Sequence, residues 1–306
     1  MTSETHRYVG FDLGGTRLKY GVVEGNRSIH CHAAAETPHD IAGLKTLIGK
    51  CWQELMDRHG PLHSAGFGLP GLFSQERRMI VQSPHCKILE GLDFDATLAS
   101  LLDVPFIIDN EANLAAYGEF AAGAGRTSRS LVLITVGSGI GTGIILDGKI
   151  WRGACGFAGE LGHVTIRPAG FSCRCGRRGC LETEASASRI VAEYQKRVRG
   201  RKQLTAADVC RAAESGEPAA VEAFARAGRA LGIGIAAVIN LLNPEKILLG
   251  GGVMEAGELL LGPARAEAGR HGYRASHACC TIERASLGNH AGFIGAALYA
   301  RDNLDG

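Results

Sequence analysis

Residues 134–148, ITVGSGIGTGIILDG, set four glycines at alternate positions between two apolar runs. A glycine turn between strands lets backbone N–H groups approach an anion without obstruction by Cβ. No Gly-Lys-Ser/Thr ending follows, so this is not a Walker loop. IILDG continues as a strand, whereas a dinucleotide fingerprint opens a helix after its glycines. Taken alone, the stretch reads equally as a glycine-rich hairpin with no ligand. Residues 7–26, RYVGFDLGGTRLKYGVVEGN, follow the same plan of apolar strand, glycine turn and apolar strand. They add Asp12 at the strand end and Thr16 in the turn. An Asp there can hold a hydrated Mg²⁺ beside a phosphate. A third glycine cluster lies in KILLGGGV, 246–253. Such a set suits a nucleotide bound between two α/β domains built alike, each giving one glycine turn to a shared cleft.

The rest of the chain fits an alternating pattern. Residues 40–59 predict an amphipathic helix, with Ile41, Leu44, Leu47, Ile48, Cys51, Leu55 and Met56 at helical spacing. SAGFGLPG (64–71) and VPFIIDN (104–110) predict strands, and EANLAAYGEFAAG (111–123) predicts a helix. Another helix is expected near 93–103. Beyond residue 180 the chain turns helical. The clearest case is 217–243, where Val221, Phe224, Gly228, Leu231, Ile235, Val238 and Leu242 step by threes and fours along a core-facing stripe. A final helix from about residue 290 is expected to return to the first domain. The domains are therefore expected at 1–118, joined by 290–306, and at 119–289.

Composition limits the function classes. The 306 residues are 45% apolar and carry a net charge of +2, too little for nucleic acid to be the default partner. No apolar stretch approaches the roughly 18 residues of a membrane span. The first residues, MTSETHRYVGFDLGG, show no signal-peptide core and enter a strand pattern at once. A cytoplasmic protein with no membrane partner is expected. Its ten cysteines then read as reduced thiols or metal ligands.

Residues 159–186, GELGHVTIRPAGFSCRCGRRGCLETEAS, contain His163, Cys173, Cys175 and Cys180. Four N/S ligands this close can make a tetrahedral structural Zn²⁺ site, and the glycines of Cys-x-Cys-Gly-x-x-Gly-Cys let the chain fold back around the metal. With all four positions filled by protein, such a zinc would fix a loop and would not activate water. Glu160 lies just before the first ligand and Glu182 just after the last. Carboxylates and an imidazole held rigidly suit the hydroxyls of a sugar. The arginines 174, 177 and 178 are expected to face solvent.

Together, FDLGGT, DNEANLAAYGE, GSGIGTG, GELGH with CRCGRRGCLE, and LLGGGV resemble the signature set of the ROK family, which comprises repressors, uncharacterised frames and sugar kinases. The resemblance runs from about residue 8 to about 300, and the cysteine loop is its most specific part. It implies a two-lobed actin-like ATPase (ribonuclease H-like) α/β fold, with ATP–Mg²⁺ and a sugar in the interdomain cleft. By position, Asp12, Gly14, Gly15 and Thr16 would form the first phosphate loop. Gly137, Ser138, Gly139, Gly141, Thr142 and Gly143 would form the second, and Gly250 and Gly251 would lie by the adenosine. Asn110, Glu160, His163 and Glu182 match sugar-binding positions, with His163 offering one ring nitrogen to zinc and the other to the sugar. A homodimer is also implied.

One departure is chemical. The family's kinases usually carry Asn-Asp-x-Asn where this chain has Asn110-Glu111-Ala112-Asn113. The Asp there is the general base, so Glu111 takes that place with its carboxylate about one bond length further out. General-base work contributes about 10²–10⁴-fold, and misplacement by about 1 Å can cost about 10²-fold. Asp109 would share a face with Glu111 only if the strand continued past Asn110. The expectation is an ATP:hexose phosphotransferase acting on a hexose hydroxyl, with glucose O6 as the favoured acceptor. The alternative is a catalytically weak ROK-family sugar sensor or regulator. Only about seven residues precede the DLGGT strand, so no helix-turn-helix module is expected.

Overall fold

The computed structural model describes residues 6–25, 28–84, 86–198 and 203–304, so the first five residues lie outside it. The chain divides into two units. One comprises Met1–Arg126, Ile150–Ala158 and His290–Gly306; the other comprises Thr127–Lys149 and Gly159–Asn289. The first boundary thus falls at Arg126, past the expected 118, and the segment Ile150–Ala158 goes with the first unit although its flanks belong to the second.

In the first unit, β1 (Arg7–Leu13), β2 (Arg17–Glu24) and β3 (Ile29–Glu36) form an antiparallel meander. Next come β4 (Ser64–Leu69), a small separate hairpin of β5 (Leu72–Ser74) and β6 (Met79–Gln82), and β7 (Phe106–Asn110). The main sheet runs β3-β2-β1-β4-β7, with β4 parallel to both β1 and β7. Helices α1 (Ile41–His59), α2 (Phe94–Ala99) and α3 (Glu111–Ala121) complete this part of the chain. Asp40 starts α1 by accepting the Gly43 N–H, and Gly60 at φ 76° stops it after the basic pair Arg58 and His59, which suits the negative end of the helix dipole. Leu44, Ile48, Cys51, Trp52 and Leu55 are its buried face, while Ile41, expected on that face, is exposed.

The second unit repeats this order. Its strands β8 (Leu131–Val136), β9 (Ile140–Leu146), β10 (Lys149–Ile150), β11 (Lys246–Gly250) and β12 (Thr281–Arg284) run β10-β9-β8-β11-β12. In each sheet the first strand is central, pairs antiparallel with the second and parallel with the fourth of the sheet. The helices are α4 (Leu181–Ala185), α5 (Ala187–Gln195), α6 (Ala206–Glu214), α7 (Pro218–Leu242), α8 (Glu258–His271) and α9 (Arg274–Ala278). Helix α7 begins on Pro218, whose missing N–H would be unpaired there anyway, and ends at Asn243 in the left-handed region. By length and composition α7 is long and apolar enough to cross a membrane, contrary to the expectation that no stretch is. Here it is a core helix: Phe224, Leu231 and Ile235 are at most 1% exposed, and it packs against α8. Val221 and Leu242, expected on the same stripe, are half-buried.

The last helix, α10 (Ala291–Leu304), belongs to the first unit and lies against β1, β4 and α3. The approach is backbone to backbone. A Cβ on Gly10 would lie 1.7 Å from the Phe293 carbonyl oxygen, and one on Gly66 would lie 2.0 Å from that of Ala296. No side chain fits there, so β1 and β4 must carry glycine where the helix crosses. Gly10→Ala is therefore expected to destabilise the chain by at least about 3 kcal/mol, at the upper end of overpacking costs. Gly252→Ala, where a Cβ meets nothing within 4 Å, should stay within about 1 kcal/mol of wild type. Denaturant unfolding of the two variants compares them directly, and equal midpoints would show that α10 is not seated as described.

Candidate functional site

In the first unit the glycine turn follows β1. Gly14 N–H closes it on the Arg17 carbonyl at 2.8 Å, leaving Gly15 and Thr16 exposed. Thr37, beyond the end of β3, secures it from the side: its hydroxyl donates to the Gly14 carbonyl at 2.8 Å and its N–H to the Thr16 carbonyl at 3.0 Å. Asp12 is 9% exposed and accepts from Lys19 Nζ at 3.1 Å, the two residues being direct partners in the β1–β2 register. Behind Asp12 stands Gly292 of α10, where a Cβ would lie 2.5 Å from the carboxylate. Neither Thr37 nor Lys19 was singled out from the sequence. Lys19 was findable, because a tight turn pairs residues equally distant from it.

The second group sits where β7 passes into α3. Strand geometry ends at Asn110 and helix begins at Glu111, so side-chain alternation stops between them. Asn110 caps α3: its Oδ1 accepts from Ala112 N at 2.8 Å and Asn113 N at 3.2 Å. Its Nδ2 donates to the Gly71 carbonyl at 3.0 Å and to Glu111 Oε2 at 2.8 Å. The residue expected to bind sugar is therefore also the residue that aims Glu111. Asp109 is 2% exposed and fully engaged. Its Oδ1 accepts from Asn110 N at 2.7 Å and Asn113 Nδ2 at 2.9 Å, and its Oδ2 from Arg152 Nε at 2.7 Å. Arg152, which no local pattern marks, carries the only charge balancing it among the described ion pairs.

In the second unit the glycine turn is shorter than the sequence suggested. The turn between β8 and β9 is Gly137-Ser138-Gly139, closed by Gly137 N–H on the Gly139 carbonyl at 2.9 Å. Gly141, Thr142 and Gly143 are part of β9, opposite Thr135, Ile134 and Leu133. Thr142 and Gly143 are buried there, so their amides serve the sheet and these three residues do not line the exposed turn. Beside β9, a Cβ on Gly159 would lie 2.4 Å from the Thr142 carbonyl. Gly250 ends β11, buried, and Gly251 follows at φ 85°, where a Cβ would lie 2.4 Å from the Val136 carbonyl. Glu182 of α4 accepts from Ile140 N at 3.0 Å and so joins the glycine turn to the cysteine loop.

That loop brings all four expected ligands together. The ligand atoms of His163, Cys173, Cys175 and Cys180 lie within 4.8 Å of one another. Cys173 Sγ is 3.6 Å from His163 Nδ1, and Cys175 Sγ is 3.6 Å from Cys180 Sγ. A tetrahedron with Zn–S bonds of about 2.3 Å has edges of about 3.8 Å, so the donors already have the spacing of a tetrahedral metal shell. Gly176 and Gly179, at φ 86° and 69°, make the reversals that fold the hairpin, and Cys173 N–H bonds the Arg177 carbonyl across it. Burial and neighbouring thiols push Cys180 up to about 12, whereas the Arg177 backbone and the neighbouring thiols outweigh burial at Cys175 and lower it. Such crowded thiols cannot all ionise unaided; a dication resolves the conflict. The other imidazole nitrogen, Nε2, is turned toward Glu160, 3.8 Å from Oε2. Arg174, Arg177 and Arg178 are exposed, as expected. Among the described residues no disulfide forms.

Residues 8–303 match the ROK family. The chain is 35% identical to a glucokinase of Halalkalibacterium halodurans, over 94% of this chain and 93% of the relative. It is 30% identical to the xylose repressor of Bacillus subtilis, over 78% of this chain and 61% of the repressor. Among solved structures, a ROK family glucokinase from Streptomyces griseus in complex with glucose and AMPPNP superposes with a TM-score of 0.88 at 30% identity, covering 97% of this chain and 100% of that one. The fold is that of the actin-like ATPases. With residues 8–303 matched and both sheets ordered alike, the chain belongs to the ROK family.

Proposed function

We propose that this protein is an ATP-dependent sugar kinase that transfers the γ-phosphoryl group to a hexose, with glucose as the acceptor and O6 as the attacking atom. The observation that carries the reading is the division of labour between adjacent carboxylates. Asp109 is buried and saturated with donors, while Glu111 opens α3 with its carboxylate steadied by one amide of Asn110. A general base needs an acceptor that a substrate hydroxyl can reach. Asp109 is closed to that role, and Glu111 fills it.

In the reaction, Glu111 takes the hydroxyl proton as the sugar oxygen bonds to the γ-phosphorus. The bond from that phosphorus to the β,γ-bridging oxygen breaks, and ADP leaves with the electron pair. Phosphoryl transfer depends chiefly on positioning and charge stabilisation. The exposed turn residues around Gly15 and Ser138 would cradle the phosphates with their backbone, and Gly250 and Gly251 would lie by the adenosine. Asp12, one carboxylate oxygen of which already faces Lys19, would hold a hydrated Mg²⁺, which would supply charge neutralisation on the phosphates. Zn²⁺ fits the three thiols and Nδ1 of His163, leaving no open position for water. Its part is to fix the loop that carries His163, Glu160 and Glu182, which would hold the sugar hydroxyls.

A sugar-sensing role is the second reading. It is favoured by the likeness to a xylose repressor and by Glu in place of the usual Asp at residue 111. A coupled ATP-consumption assay on zinc-replete protein with a panel of hexoses separates the two. Sugar-dependent turnover supports the kinase; thermal stabilisation by a sugar without turnover supports the sensor.

Two substitutions test the assignments within the kinase. Glu111→Gln keeps the acceptor for Asn110 but loses basicity, so kcat is expected to fall at least about 10²-fold with glucose affinity changed less than about threefold. Turnover near wild type would rule out Glu111 as the base. Cys175→Ser is expected to lower the zinc content from one ion per chain and to weaken glucose binding about tenfold or more, read by metal analysis and calorimetry. Zinc lost with glucose affinity intact would remove the loop-fixing role.

A further inference from the structure

The segment Ile150–Ala158 leaves the second unit, packs with the first and returns to the second at Gly159. Its one long cationic side chain, Arg152, reaches two partners. Nε donates to Asp109 Oδ2 at 2.7 Å, with the second guanidinium nitrogen also on that oxygen, and that nitrogen donates to the Tyr299 hydroxyl at 2.7 Å. The guanidinium carbon lies 5.4 Å from the centre of the Tyr299 ring. Tyr299 in turn meets Tyr117 of α3 edge to face at 4.8 Å, and Tyr117 donates to Asp302 at 2.7 Å. One arginine thus ties the crossing segment to the end of β7 and to α10, while α10 grips α3 further along.

The consequence runs through Asp109. With one oxygen on Arg152, its other oxygen receives Asn110 N and Asn113 Nδ2, the residues on either side of Glu111. Truncating one partner of a buried pair leaves an uncompensated charge, which a site 2% exposed cannot solvate. Asp109 would then turn toward water, and that rotation releases the Asn110 and Asn113 contacts on its other oxygen. Burial opposes the charge on Arg152, yet the Asp109 carboxylate and the Tyr299 hydroxyl prevail and hold its pKa above the ordinary value.

We infer that Arg152 is a positioning residue: by clamping Asp109 and Tyr299 it fixes the first turn of α3, and with it the carboxylate of Glu111. This rests on the kinase reading for its catalytic meaning, but the clamp itself is a statement about backbone order. Two readouts therefore separate them.

The first is amide hydrogen exchange, comparing wild type with Arg152→Met, Arg152→Lys and Tyr299→Phe. In Arg152→Met the peptide covering 106–117 is expected to exchange at least tenfold faster, while peptides from β2 in the same unit keep their wild-type rates. Arg152→Lys, which can still pair with Asp109, should restore most of the protection. The second readout is turnover at a temperature where each variant is fully folded. Arg152→Met should lose about 10²-fold in kcat with KM for glucose changed less than threefold, since misplacing the base by about 1 Å costs that much. Arg152→Lys should recover to within tenfold of wild type. Should Arg152→Met not fold, Tyr299→Phe removes one anchor of the guanidinium and keeps the ring. It should raise exchange in the same peptide at least threefold.

Unchanged exchange at 106–117 in Arg152→Met, or in Tyr299→Phe where the former does not fold, overturns the clamp whatever the activity. Accelerated exchange with kcat within threefold of wild type overturns its positioning of Glu111. Accelerated exchange in a protein whose wild type turns over no sugar keeps the clamp and removes the kinase reading.

Discussion

Helix α10 rests on bare backbone. Its carbonyl oxygens at Phe293 and Ala296 occupy the space that side chains at Gly10 and Gly66 would fill, and Gly295 meets the Leu114 carbonyl of α3 in the same way. Contact at that range transmits position without the slack of side-chain packing. Three parts of the candidate site depend on it. Gly292 stands behind Asp12, α3 carries Glu111, and Tyr299 anchors Arg152. The two acidic groups proposed to handle phosphate and proton are thus registered against one helix drawn from the far end of the chain.

The two sheets share an order but divide the chemistry. In the first unit, acids stand near the ends of the two strands that flank β4 in parallel, Asp12 in β1 and Asp109 in β7. In the second, β8 ends on Val136 and β11 on Gly250, the acid near the end of β12, Glu283, is paired with Lys246, and further acids enter from the cysteine loop through Glu160 and Glu182. A metal hairpin supplies rigidity that a short loop rich in glycine cannot generate from packing alone. The Glu182 contact with Ile140 N joins that rigidity to the glycine turn.

Much of this was readable in the sequence because it is written in local pattern. Strand, glycine turn and strand recur twice, α1 and α7 show helical spacing, and the four metal ligands fall within one short stretch. What escaped lies in contacts between distant segments. Arg152 is a single arginine in a glycine-rich loop, and nothing nearby announces Asp109, 43 residues earlier. Thr37 looks like any residue between a strand and a helix until its hydroxyl is seen on Gly14. The glycines at 141 and 143 lie in β9 and not in the turn itself. Alternation is also the period of a strand, and both residues are paired with β8. The hairpin β5–β6 was missed because its strands, three and four residues long, are too short to show a period.

The position of α10 also bears on how the chain is made. The sheet of the first unit is complete by Asn110, yet the helix that seals it is Ala291–Leu304. Between them lies nearly all of the second unit, whose own elements are closed by Arg284. A ribosome delivers these pieces in order, so the second unit can mature while the first still waits for its last helix. Long-range closure of this kind slows folding and leaves apolar surface uncovered meanwhile. The first unit is therefore begun first and finished last, and during synthesis its exposed sheet is the part of the chain most in need of a chaperone.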